Sequence, residues 1–204
     1  MSSIALECLH VPISPGVRIR TARSVARKVA TIDRKIRSGE HVTKLAGWDG
    51  LTIQGRTVGI LGGGNIGLAV ARMFHYGFGC PILLYDPYLS PAAKSLWEST
   101  IPSANFSMVS DLEKGMYPHA DIISLHIPLL PSTTDLIGHK QLQLMKPSTI
   151  LINTARGGII TESDLIEALR SNTIYGAGLD AFVTEPPTLS AYKSLAELDN
   201  VVMT

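Results

Sequence analysis

From residue 51 onward, short apolar runs alternate with amphipathic stretches. Residues 57–61 (TVGIL), 81–85 (PILLY), 121–125 (DIISL), 149–153 (TILIN), 175–179 (YGAGL) and 200–203 (NVVM) are each brief and mostly apolar, the pattern of strands buried on both faces. Between them, a helical pattern runs from the glycine-rich turn at 62–64 to about Tyr76, and others lie near 90–97, 138–145 and 161–171. Thr161 followed by Asp164, ahead of Leu165, Ile166 and Leu169, predicts a variant capping box at the start of the last of these. Strands alternating with helices require parallel pairing and right-handed crossovers. The predicted fold is therefore α/β, a doubly wound, mostly parallel sheet with helices on both faces.

The first fifty residues follow another rule. Arg and Lys crowd the stretch from Arg18 to Arg37 against a single acid, Asp33. Val25, Val29, Ile32 and Ile36 recur at helical spacing, which predicts a solvated basic helix with an apolar stripe packed on a neighbour. A second reading is an organelle-targeting presequence, because Glu7 is the only acid before Asp33. The depth of the basic helix in the chain favours the first reading. We therefore divide the chain into a basic N-terminal segment, 1–50, and a domain, 51–204.

Composition narrows the class. The 204 residues carry a formal net charge of +1, and no aromatic residue interleaves the basic stretch, so the sequence does not read as a nucleic-acid binder. With 45% hydrophobic residues and a mean hydropathy of +0.20, the chain can build a core. No apolar run approaches the ~20 residues of a membrane span. Cys8 and Cys80 cannot build a disulfide framework, which suits a reducing, cytoplasmic setting. No His/Cys cluster has metal-ligand spacing, so no metal is expected.

The chemistry lies in the loops that follow the strands. Gly62, Gly64 and Gly67 form G-x-G-x-x-G between a strand and a helix. This spacing serves a tight turn, a close backbone approach to a pyrophosphate, and close helix–strand packing, with the amides near Asn65 and Ile66 aimed at phosphate. Asp86 ends the next strand, 19 residues after Gly67. A carboxylate there accepts ribose hydroxyls and repels a 2′-phosphate, so NAD is expected rather than NADP. Further on, Arg156 follows a strand between Thr154-Ala155 and two glycines, and offers a planar fork to a carboxylate. Asp180 ends the following strand, and Glu185 precedes two prolines. Taken alone, these three also fit a surface salt bridge, a turn cap and a solvated acid.

Taken together, these motifs are in order and in register. Gly62–Gly67, Tyr85-Asp86-Pro87, the segment 126–133 (HIPLLPST), Asn153–Gly158, Gly178-Leu179-Asp180 and Thr184–Pro187 resemble the NAD-binding domain of the D-isomer-specific 2-hydroxyacid dehydrogenases. The resemblance covers roughly residues 38–204, and the segment 129–134 leans toward the phosphoglycerate dehydrogenase branch. It implies a Rossmann-type fold that moves a hydride between NAD and a small 2-hydroxy or 2-oxo acid. It also implies a homodimer through this domain, while the charge and the apolar run lengths argue against nucleic acid and membrane as partners.

By the same resemblance, Asn65 and Ile66 contact the pyrophosphate and Asp86 the ribose. Thr154 and Ala155 line the nicotinamide side, and Asp180 holds its carboxamide. Arg156 binds the substrate carboxylate, and Glu185 raises the pKa of a catalytic histidine. The family places that histidine just beyond a segment like 200–204. None of His10, His41, His75, His119, His126 and His139 stands there, and the family's substrate lobe has little counterpart before Leu51. The sequence therefore reads as truncated at both ends, and NAD binding with little turnover is expected. An alternative is an NAD-binding regulatory or scaffold protein of the corepressor type, which keeps the same arginine and glutamate. A dehydrogenase of another class would leave Asn153–Gly158 and Glu185 without explanation.

Overall fold

Seven parallel strands make one sheet in the computed structural model, which describes residues 15–43 and 50–204. In chain order they are β1 (Val58–Leu61), β2 (Ile82–Tyr85), β3 (Phe106–Met108), β4 (Ile122–Leu125), β5 (Ile150–Asn153), β6 (Gly176–Leu179) and β7 (Val201–Met203). Their spatial order is β3-β2-β1-β4-β5-β6-β7, and every ladder is parallel. The order reverses between β1 and β4, and such a switch point opens a crevice at the carboxyl ends of the strands.

The helices are α1 (Pro15–Ala26), α2 (Val29–Arg37), α3 (Asn65–Phe78), α4 (Pro91–Thr100), α5 (Leu112–Gly115), α6 (His139–Gln143), α7 (Glu162–Arg170) and α8 (Lys193–Ala196). They bury both faces of the sheet. Val58, Ile60, Ile82, Leu84, Ile122, Ile150 and Ile152 share one cluster with Val25 of α1, Phe74 of α3 and Trp97 of α4. Leu61, Ile123, Leu125, Leu151 and Leu179 share the other with Leu142 of α6, Leu165 of α7 and Leu195 of α8. Alternate residues of one strand enter opposite clusters, so β1, β4 and β5 read as continuous apolar runs.

The basic segment folds differently from its expected stripe. The helix breaks at Lys28, which takes a left-handed conformation (φ 52°) and begins α2. Val25 is buried, but Val29 is 53% and Ile36 60% exposed. The face that packs is instead Arg18, Thr21, Ala22, Val25 and Ala26. β6 makes room for it. A Cβ on Gly176 would lie 2.7 Å from Val25 Cγ1, and one on Gly178 would overlap Thr21 Cγ2. The small residues of β6 thus let α1 lie directly on the sheet. The residues before 15, on which the presequence reading partly rests, lie outside the described residues, as does Cys8. Cys80 is a buried free thiol that donates to Ile53 O, and burial pushes its pKa up to about 11.

The expected capping box at 161–164 does not form. Thr161 makes no side-chain cap for α7, and its hydroxyl bonds Asp135 Oδ1 at 3.1 Å. Asp164 turns to the neighbouring helix and accepts from His139 N at 2.8 Å, at the first residue of α6. The carboxylate still meets orphan helix amides, but those of another helix. β3, α5 and α8, which the sequence pattern did not reveal, are three or four residues long.

Candidate functional site

The loop between β1 and α3 is shaped by its neighbours. Gly62 has φ +100°, and a Cβ there would stand 2.5 Å from His126 O, so both conformation and space require glycine. Gly63 is held on two sides. Its N–H donates to Asp86 Oδ2 at 2.8 Å, and its carbonyl accepts from the buried indole of Trp97 at 2.8 Å. Gly64 is the N-cap of α3 and has no side chain to cap the helix. A Cβ on Gly64 would meet nothing within 4 Å, so the loop faces open space beside the first amides of α3, at Asn65, Ile66 and Gly67. A Cβ on Gly67 would overlap Gly62 O, which is the close packing expected of the third glycine.

Asp86 stands at the end of β2. One carboxylate oxygen accepts from Gly63 N and the other from Tyr88 N at 2.9 Å. A carboxylate has about four acceptor positions, so two remain for hydroxyl donors. A bare glycine cradle, a helix N-terminus and a carboxylate with spare acceptors together fit a dinucleotide's pyrophosphate and adenosine ribose.

The second half of the edge is organised by Asn153, the last residue of β5, which is 2% exposed. Its Nδ2 donates to Arg156 O at 2.8 Å and its Oδ1 accepts from Ala155 N at 3.1 Å. Its backbone carbonyl accepts from Asp180 N at 2.9 Å. One amide therefore sets the path of the Thr154–Arg156 turn and ties it to β6. A Cβ on Gly157 would overlap the Phe182 backbone, which brings the next loop close. Thr154 is buried, and its carbonyl accepts from Arg18 Nη2 at 3.4 Å.

Arg156 is exposed, and its Nη1 donates to its own neighbour Ala155 O at 2.7 Å. It pairs with no carboxylate among the described residues, which leaves most of its donor fork for an anion. Asp180 Oδ1 accepts from Thr204 Oγ1 at 2.8 Å. Glu185 is exposed, and its Oε1 accepts from Phe182 N at 3.2 Å. The structure thus places the candidate residues at the carboxyl ends of the strands: Gly62 and Gly64 in the loop after β1, Asn65, Ile66 and Gly67 in the first turn of α3, Asp86 after β2, and Thr154, Ala155, Arg156, Asp180 and Glu185 after β5 and β6.

Three further residues support this edge. Asn153 and Trp97 position its loops, and Arg18 reaches it from α1. The signals for the first two were a polar residue closing an apolar strand and a tryptophan in the helix after Asp86. Arg18 left no signal, because its charge resembled that of its exposed neighbours.

His126 also lies at this edge, with Nε2 3.0 Å from Ser124 Oγ. Burial, aided by the charge of Arg18, lowers its pKa to about 3. It is uncharged at neutral pH and does not carry an exchangeable imidazolium proton there.

An all-parallel sheet in this order, with a glycine loop and acceptor carboxylate at the switch point, defines a dinucleotide-binding α/β domain. Residues 19–204 match the profile of the D-isomer specific 2-hydroxyacid dehydrogenase NAD binding domain, and the chain belongs to that family, whose cofactor is NAD. The match begins within α1, earlier than the motifs alone indicated. The chain is 39% identical over 185 residues to a glyoxylate reductase of Thermococcus litoralis, covering 88% of this chain and 52% of that protein. It is 38% identical over 181 residues to a D-3-phosphoglycerate dehydrogenase of Mycobacterium leprae, covering 89% and 31%. Among solved structures, an NAD-complexed D-isomer specific 2-hydroxyacid dehydrogenase of Lactobacillus delbrueckii superposes with a TM-score of 0.77 at 33% identity, covering 93% and 58%. The chain thus spans between about a third and just over half of these relatives.

Proposed function

We propose that this chain is the cofactor-binding half of a dehydrogenase that moves a hydride between NAD and a D-2-hydroxy acid or its 2-oxo counterpart. The observation that carries the proposal is the Asp86–Gly63–Trp97 linkage, which holds the glycine loop beside the N-terminus of α3 with acceptor positions to spare. When bound, NADH would supply the hydride for reduction of a 2-oxo acid, and NAD+ would accept it in the reverse direction. This chain's residues bind and orient around it: Gly62, Gly64, Asn65, Ile66 and Gly67 at the pyrophosphate, Asp86 at the ribose, and Thr154, Ala155 and Asp180 on the nicotinamide side.

Arg156 then meets the substrate. Its fork binds the carboxylate and polarises the C2 oxygen, where negative charge develops as hydride arrives. Glu185 orients a histidine and raises its pKa, so that a proton is available at that oxygen. That histidine is not among the described residues, and His126, buried and uncharged, does not replace it. We therefore expect this chain alone to bind NADH and to reduce glyoxylate or hydroxypyruvate close to the background rate. Turnover at ordinary enzyme rates by the isolated chain would contradict this assignment of the proton donor.

We assign the dinucleotide-binding domain to 51–204 and regard 1–50 as an N-terminal segment whose first described helix covers β5–β7. The substrate class is a small 2-hydroxy or 2-oxo acid, and a cytoplasmic setting suits a buried, unpaired Cys80. No described helix is long and apolar enough to cross a membrane. A homodimer through this domain rests on the family resemblance; the groove of about 520 Å³ beside α1 and α3 is lined by Arg20, Arg23 and Arg27 as well as Ile19, Val29 and Met73. Sedimentation showing a monomer at micromolar concentration would overturn the dimer alone.

A further inference from the structure

Arg18 lies within the basic N-terminal segment, yet it is only 3% exposed. α1 climbs the sheet face one turn at a time. Val25 lies against Gly176, Thr21 against Gly178, and Arg18 reaches the carboxyl edge of β5. There its Nη2 donates to Thr154 O at 3.4 Å, and its charge acts on both Asp180 and His126. Burial lowers its pKa from the ordinary arginine value while Asp180 raises it, and a guanidinium stays charged throughout the working pH range. A buried cation is expensive to keep, and here it lies beneath the residues on which the function turns.

We propose that Arg18 and Asp180 together set the charge of the nicotinamide subsite, Arg18 weakening the attraction that Asp180 alone would exert on a cationic ring. This inference rests on the reading that Thr154, Ala155 and Asp180 face the nicotinamide. Oxidised nicotinamide carries a positive charge and reduced nicotinamide does not, while the adenosine and pyrophosphate are common to both. A fixed charge beside the ring therefore acts almost entirely on the ratio of the two affinities. By opposing Asp180, Arg18 biases the site toward NADH and so toward reduction of a 2-oxo acid. It acts through Asp180 and the Thr154 carbonyl, and is a positioning residue rather than a catalytic one.

The test is the ratio Kd(NAD+)/Kd(NADH), measured by titration calorimetry on the 204-residue chain and its variants. Arg18→Met leaves Asp180 unopposed and is expected to lower the ratio by about tenfold. Arg18→Lys keeps the charge and should leave the ratio within about twofold of the parent. Asp180→Asn removes the opposing charge at a partly exposed position and should raise the ratio by about tenfold, which keeps the proposal testable if Arg18→Met does not fold. An unchanged ratio in folded Arg18→Met overturns the inference and leaves the functional reading standing, whereas an unchanged ratio in Asp180→Asn overturns the inference together with the placement of Asp180 beside the nicotinamide. A parent chain that binds neither dinucleotide overturns both.

Discussion

The backbone N–H of Gly63 donates to the carboxylate of Asp86 at 2.8 Å, joining the end of β2 to the loop that opens α3. A residue 23 positions away in sequence thereby does two things. It fixes the loop that lies beside the helix amides, and it presents its remaining acceptor positions at the place where a ribose is expected.

The negative charge of Asp86 should therefore exclude a 2′-phosphate. Asp86→Asn keeps an oxygen that can accept from Gly63 N but removes the charge. The NADPH/NADH affinity ratio is expected to rise about tenfold or more in this variant, with NADH itself weakened only several-fold. Competitive titration of the two nucleotides reads this directly. A ratio equal to that of the parent chain would detach Asp86 from the 2′ position.

His126 makes stability depend on pH in a defined direction. Its folded pKa of about 3 lies below the ordinary 6.5, so the unfolded chain binds a proton between those values that the folded chain does not. Its contribution is fully present above about pH 6.5 and is lost as pH falls toward 3, at up to about 1.4 kcal/mol per pH unit. Urea unfolding at pH 6 and pH 5 should show a shallower loss for His126→Gln than for the parent. Parallel slopes would mean that the imidazole titrates equally in both states.

The approach of α1 to β6 can be tested by filling it. Gly178→Val places its side chain against Thr21 and should destabilise the fold by about 3 kcal/mol, lowering Tm by roughly 10 °C. Gly77→Ala in α3 is the matched control, because a Cβ there meets nothing within 4 Å, and it should be neutral or slightly stabilising. Equal melting temperatures for the two variants would contradict direct packing of α1 on the sheet.

The sheet was legible because β1, β2, β4, β5 and β6 are sandwiched between helices and spell apolar runs bounded by turns. β3 was not, for it is a three-residue edge strand whose Ser107 and Met108 are exposed. The four-residue α5 and α8 are too short to show a helical period. The glycine loop left local marks in the sequence because Gly62 and Gly67 sit where a Cβ would strike neighbouring backbone. The other half depended on resemblance, since Arg156, Asp180 and Glu185 lie on the loops after β5 and β6 and no local spacing links them. α1 misled because its buried face includes an arginine and a threonine, while the apolar Val29 and Ile36 are left exposed. Its packing is dictated by the small residues of β6, more than a hundred positions away. Asp164 shows the same limit: its sequence neighbours predict one helix cap, and its spatial neighbours supply another.

The most direct measurement is a fluorescence titration of NADH into the parent chain and into Asp86→Ala, with circular dichroism confirming that both are folded. The account predicts saturable, one-to-one binding by the parent, weakened about tenfold or more in the variant. Absence of binding by the folded parent, or equal affinity in the two proteins, would contradict it.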